Sequence, residues 1–182
     1  MDERARRIVD TAIELAEQNG YAAVRLRDIA TKAGVALGTV YNRFASKEEI
    51  LVAVMAAEGE RLFESMSQGV EGNTPRERAE HFFLHATAAF LARPNLARAV
   101  LRSLVGGGDI AGHVLGLQKH TTRLLKKAIA GDDVLDDEEL ETVATILQQV
   151  WFASLIGWTS GLYATQDDVV AHVQRAADRL LE

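Results

Sequence analysis

The 182-residue sequence predicts an all-α fold of nine helices. Three observations carry that prediction. Apolar residues recur at spacings of three and four along nearly the whole chain, the period of a helix with one buried stripe. Strand-like alternation of Val, Ile, Thr and Tyr is absent. Only two prolines occur, Pro75 and Pro94, and both stand where a helix can begin.

The elements follow in order. A first helix over about 3–18 presents Ile8, Val9, Ala12, Ile13, Leu15 and Ala16 inward, with Gly20 placed to end it. A short second helix over 26–33 turns Leu26, Ile29, Ala30 and Ala33 inward and stops at Gly34, with Val35 plugging the turn. A third spans about 37–44, with Val40 and Phe44 inward. Ser46, followed three places on by Glu49, is a capping box for a long fourth helix reaching about 67. Thr74-Pro75-Arg76-Glu77 starts a fifth, to about 91, with Phe82, Phe83, Ala86, Ala89 and Phe90 inward. Pro94 opens a sixth, to about 105. A seventh covers about 110–130 and an eighth about 137–161. Thr165 caps the ninth. The acidic run 136–141 suits a helix N-terminus.

The chain divides near 46–50: a helix-turn-helix part over 1–48 and a larger helical part over 49–182. The fourth helix joins them without a flexible linker, so movement in one can reach the other.

Charge is unevenly placed. The chain carries a net charge of −6, yet 25–47 holds Arg25, Arg27, Lys32, Arg43 and Lys47 against Asp28 alone. Phosphate attraction acts over about one Debye length, roughly 10 Å, so local charge outweighs the total. Two short helices joined by a glycine turn form a helix-turn-helix, whose second helix fits the major groove. The reader is the third helix, with Leu37, Gly38, Thr39, Tyr41, Asn42 and Arg43 outward and Val40 and Phe44 anchoring it. Arg25 and Lys47 flank it and suit backbone phosphates, which set register and supply sequence-independent affinity. Arg4, Arg6 and Arg7 could add phosphate or minor-groove contacts; a solvated first turn explains them equally well.

"RDIATKAGVALGTVYNRFASKEEIL" resembles the DNA-binding signature of the TetR family of transcriptional repressors, over about 8–51. Asp28-Ile29-Ala30, Ala33-Gly34-Val35, Gly38-Thr39, Tyr41, Phe44 and Lys47 stand in family register. The resemblance implies a homodimer in which each helix-turn-helix reads half a palindrome, and a C-terminal domain whose small ligand releases DNA. Two departures concern operator sequence. Val24-Arg25 replaces the usual Ser or Thr that caps the second helix, and Ala36-Leu37 replaces Ser-Lys before the glycine. Leu37 can meet a thymine methyl but forms no hydrogen bond to a base. The tail "ILQQVWFASLIGWTSGLYATQDDVVAHVQRAADRLL" is similar to that of TetR-type repressors of cholesterol and steroid catabolism, which implies a steroid-like acyl-CoA effector.

Phe63, Met66, Phe83, Phe90, Leu101, Leu104, Leu117, Trp151 and Leu155 are the candidates for an apolar effector pocket; each is also explained as ordinary core. "VWFASLIGW" is apolar nearly all round, which asks for a central position or a partner subunit. Gly157 would allow a close helix approach. Phe152, Ile156, Trp158 and Val173, on the eighth and ninth helices, are the candidates for a four-helix dimer interface.

His81 and His85 sit four apart, but spacing offers no third metal ligand, and no metal or cofactor is expected. "GGGDIA" follows a helix rather than a strand, against a dinucleotide site. No Gly-x-Ser-x-Gly elbow, phosphate loop or HExxH is present, so no enzyme is expected. The absence of cysteine, of a run long enough for a membrane span and of an apolar signal core predicts a soluble cytoplasmic protein without a membrane partner. The expected partners are double-stranded operator DNA, a hydrophobic small molecule and a second copy of the chain. The competing function is a helical binding or carrier module whose N-terminal part is only scaffold.

Overall fold

The computed structural model describes residues 2–65, 70–105, 111–131 and 136–181, and among these it is all helix and loop. The helices are α1 (Glu3–Asn19), α2 (Leu26–Ala33), α3 (Leu37–Tyr41), α4 (Lys47–Ser65), α5 (Pro75–Leu91), α6 (Pro94–Val105), α7 (Ala111–Ala130), α8 (Asp137–Thr159) and α9 (Gln166–Leu180). The "GGG" segment and the expected first residue of α7, Ile110, lie outside the described residues.

The chain forms two compact units, Met1–Glu58 with Arg93–Leu117, and Gly59–Ala92 with Gln118–Glu182. In the first, α1 packs on α2 and α6, and α2 on α3. Ile8, Val9, Ala12, Val24, Ile29, Val40, Ile50, Leu51, Val100 and Leu101 make its core. Membership of α6 is sealed by Arg93 paired with Glu58 and by Asn95 Nδ2, which donates to the Glu17 carbonyl at 3.1 Å. Sequence patterning could not place α6 there, because its stripe specifies a buried face and not which face covers it.

In the second unit α9 packs on α5 and α8. Phe82, Phe83, Ala86, Leu140, Leu147, Leu155 and Val173 are buried. Three polar side chains inside it have their bonding answered. Arg78 is 7% exposed and donates to the carbonyls of Ile129 at 2.7 Å and Ala130 at 3.0 Å, closing the C-terminus of α7. The Trp151 indole donates to Thr87 Oγ1 at 2.9 Å, and that hydroxyl donates to the Phe83 carbonyl at 2.6 Å.

The start signals hold. Asp2, Thr74, Asp136 and Thr165 each accept a backbone N–H as N-caps, and Thr74 with Glu77 forms a full capping box. At α4 the box is shifted: Ser46 accepts from the Glu49 N–H, while the Glu49 carboxylate takes the N–H of Ala45. Three expectations are corrected. Ala89 is exposed and Phe90 half-buried, because Thr87 takes the buried place beneath Trp151. Gly157 makes room for a ring rather than a helix: a Cβ there would lie 2.4 Å from Tyr163 Cε2. Tyr163 is held in that seat by its hydroxyl, 3.2 Å from His172 Nε2.

Candidate nucleic-acid interface

α2 ends where Gly34 takes φ 64°, a left-handed conformation that a side chain would strain. The N–H of Gly34 reaches the Thr31 carbonyl and that of Val35 reaches the Ala30 carbonyl at 3.0 Å, closing the helix and turning the chain into α3. Ile29, Ala30, Ala33, Val40 and Phe44 are buried beneath the turn and Val35 is half-buried. α3 is shorter than the predicted 37–44. It ends at Tyr41, and the Arg43 N–H bonds to the Val40 carbonyl three residues back, tightening the last turn while Phe44 is drawn into the core.

This anchoring leaves one face outward. Gly38, Tyr41, Asn42 and Arg43 are exposed, Tyr41 at 57%, and Leu37 and Thr39 are half-buried. The exposed Arg25 is the N-cap residue of α2 and makes no side-chain cap bond. Val24, which stands where the family pattern has a hydroxyl, is fully buried. Arg4, Arg6 and Arg7 are exposed on α1.

Two of the basic side chains have carboxylate partners: Lys32 pairs with Glu14 at 2.9 Å, and Arg43 with Asp2. Asp2 is held below its ordinary value by the Ala5 N–H it accepts and by Arg43, which together outweigh the upward push of desolvation. Lys47 is different. Its Nζ lies 3.7 Å from the centre of the Tyr21 ring, in a single 3-10 turn, Tyr21–Ala23, that patterning did not reveal. Arg102 of α6 lies over the same ring at 4.8 Å. The Tyr21 hydroxyl donates to Glu48. Burial, and then the Glu48 carboxylate, push the Tyr21 hydroxyl up to about 12. Glu48 is held below its ordinary value: burial pushes it up, but the Tyr21 hydroxyl, its own N–H, Ser46 and Lys47 outweigh that. A groove of about 670 Å³ beside this ring is walled by Arg25, Arg27, Asp28, Tyr41, Lys47 and Arg102.

The apolar candidates fall into two groups. Leu101 is buried and Leu104 and Leu117 half-buried in the first unit. In the second, Phe83, Trp151 and Leu155 are buried and Phe90 is half-buried; the Phe83 and Phe90 rings lie 5.8 and 6.2 Å from the Trp151 ring. Met66 and the side chain of Phe63 lie outside the described residues. A second groove, of about 530 Å³ among the ends of α5, α8 and α9, is lined by none of these candidates. Phe152, Ile156 and Trp158 keep partly exposed surface on α8; Val173 is 1% exposed inside its own unit and has no surface left for a partner.

His81 and His85 stack with ring centres 4.0 Å apart. The Glu71 N–H donates to His81 Nδ1, and His85 Nδ1 lies 2.9 Å from the His81 carbonyl, so both nitrogens are engaged. Burial, and then the neighbouring His85, hold His81 below the ordinary histidine value. Among the described residues no group of three or more His, Cys, Asp or Glu could hold a metal, and no helix is long and apolar enough to cross a membrane.

Comparison with known proteins bears on both halves. Residues 8–54 match the model for bacterial regulatory proteins of the tetR family, and 72–180 match the tetracyclin repressor-like C-terminal domain. The HTH-type transcriptional repressor KstR of Rhodococcus jostii (strain RHA1) is 31% identical over 180 residues, covering 98% of this chain and 83% of that one. A TetR transcriptional regulator from Rhodococcus sp. RHA1, 28% identical, superposes with a TM-score of 0.86 over 98% of this chain and 95% of that one. FadR from Bacillus subtilis, solved with stearoyl-CoA, shares the fold at 21% identity and a TM-score of 0.68, over 97% of each chain. A helix-turn-helix whose pegs are buried and whose reading face is outward thus stands on a chain matched at both ends by one family's domains, and the protein is a member of the TetR family of transcriptional regulators.

Proposed function

We propose that the protein is a ligand-responsive repressor that binds palindromic operator DNA as a homodimer and releases it on binding a hydrophobic effector, a steroid or an acyl-CoA. The observation that carries the DNA half is the outward row Gly38, Thr39, Tyr41, Asn42 and Arg43 on α3 and the turn that ends it, pegged by Val40 and Phe44. Residues 1–48 are the DNA-binding part, with Leu37 against a thymine methyl and Arg25 and Lys47 on phosphates. Arg43 exchanges Asp2 for DNA, which loses little because exposed ion pairs are worth about 0–1 kcal/mol.

Residues 49–182 hold the effector and the dimer contact. The cluster of Phe83, Phe90, Trp151 and Leu155 supports an apolar effector site, with Phe63, Met66, Leu101, Leu104 and Leu117 as further wall candidates. A fold that accommodates stearoyl-CoA in FadR supports the acyl-CoA class, and the likeness of the tail to steroid-catabolism repressors supports a steroid-like acyl group. The partly exposed Phe152, Ile156 and Trp158 support α8 as the dimer face. Dimerisation would set the two reading helices roughly 34–36 Å apart, one turn of DNA.

Two experiments test this. Selection from a random duplex library should converge on an inverted repeat; selection without convergence removes the operator reading. Thermal shift against steroids, fatty acyl-CoAs, aromatic drugs and free CoA should find a ligand that stabilises by about 2.7 kcal/mol at roughly 100 times its Kd. That ligand must also weaken duplex binding, since one with equal affinity for both states shifts nothing.

A further inference from the structure

We propose that Arg102, on α6 and outside the helix-turn-helix, completes a binding site for a DNA backbone phosphate together with Arg25 and Lys47 around the ring of Tyr21. The inference rests on the DNA-binding reading above and extends its surface to a helix that the reading does not include.

The charge distribution is the first support. Among the described residues Arg25, Arg27, Lys47 and Arg102 form no ion pair, although the chain is acidic overall. Several cations elsewhere are answered: Lys32 by Glu14, Arg76 by Glu80 and Asp178, Arg93 by Glu58, and Lys126 by Asp137 and Glu141. Asp28 is the single carboxylate in the wall of the groove that Arg25, Arg27, Lys47 and Arg102 share. Cations gathered this way repel one another, and a bound anion relieves that repulsion.

The geometry is the second support. A guanidinium that stacks on an aromatic ring uses its face and leaves its edge N–H groups free. Those edge donors match two phosphate oxygens at once. Tyr21 is itself fixed by its hydroxyl bond to Glu48, so the ring holds Arg102 and Lys47 in place without tying either to a carboxylate. The groove also includes Tyr41 of the reading helix, so a phosphate seated there lies beside the face that meets the bases. Free inorganic phosphate shares this chemistry, and the test separates the two sources.

Fluorescence anisotropy with a duplex carrying the selected inverted repeat, and with a shuffled duplex, is measured across a sodium chloride series for wild type, Arg102→Gln and Arg102→Lys. Losing one phosphate contact should reduce the slope of log affinity against log salt by about 0.9. Arg102→Gln removes one such contact from each half of the homodimer and should show about twice that reduction, roughly 1.8, with a several-fold loss of affinity shared by both duplexes. Arg102→Lys should restore the slope. An unchanged slope in Arg102→Gln overturns the proposal, and so does a lost affinity at unchanged slope, which would mean Arg102 only packs on Tyr21. A saturable thermal shift with inorganic phosphate at matched ionic strength, absent in Arg102→Gln, would assign the site to free phosphate instead. Wild type that binds neither duplex removes the DNA-binding reading, and this inference with it.

Discussion

α3 is five residues long and buries Val40 alone, whereas α8 is 23 residues long and buries eight residues. An isolated helix needs roughly 12–15 residues to persist in water, so α3 exists because Val40 and the following Phe44 are pegged into the first unit's core. Its remaining side chains are left for another molecule. α8 works the other way: the indole N–H of its buried Trp151 is spent on Thr87, and the buried Arg78 of the same unit is spent on the end of α7. In the proposed function recognition sits on a short element held from beneath, and stability on long elements whose buried polar groups are already satisfied.

That contrast is open to breakage. The largest change in stability is expected for Arg78→Ala, about 3 kcal/mol, because one buried and one part-buried carbonyl lose a charged donor. Urea denaturation should show a lower midpoint, while the still-folded protein binds duplex as wild type does; a weakened folded protein would erase the division between the regions. Val40→Ala should cost about 2 kcal/mol from lost burial and its cavity, and should also lower duplex affinity, since the peg and the reader share one helix. Trp151→Phe keeps a ring but deletes the donor to Thr87, at a cost of about 1 kcal/mol by thermal unfolding.

Tyr41→Ala sharpens the comparison from the opposite side. Its ring is exposed, so stability should move by less than about 0.5 kcal/mol. Duplex affinity measured by anisotropy should fall by at least about ten-fold, as for loss of one good base contact. The smallest effect is alkaline. The Tyr21 hydroxyl is raised from its ordinary 10.0 to about 12, so the folded state holds that proton longer than the unfolded one. The associated stability is complete below pH 10 and is lost as pH rises toward about 12. Spectrophotometric titration should find one of the three tyrosines ionising late. Glu48→Gln should bring that step only part of the way back, because burial is the larger cause.

Much of the local structure was readable as a line of residues. The predicted span 26–33 is the observed α2, Gly34 adopts the left-handed turn its position requires, and Thr74 with Glu77 closes the box that starts α5. The outward residues of α3 were also legible, because a polar face and an apolar face alternate within one helical turn. The end of α3 was not, since the tightened bond from Arg43 to Val40 answers to where Phe44 must go. Tyr21 carried no pattern of its own and acquired its role from Lys47 and Arg102. Nothing in the local pattern singles out Arg78 in the first turns of α5, and only the fold supplied carbonyls 51 and 52 residues away.

The sequence by itself determined that the chain is helical, where most helices begin and end, and which short helix turns a hydrogen-bonding face outward. Caps, turn glycines and apolar stripes act over one or two turns of helix, so their physics is written in neighbouring letters. Only the tertiary structure decided that α6 joins the N-terminal core, that Tyr163 occupies the space above Gly157, that Val173 is interior, and that Arg102 stands beside Lys47 on one ring. An apolar stripe states that a face will be covered, and a charge states that it will be solvated or answered. Neither states by what, because the partner is chosen by the packing of the entire chain.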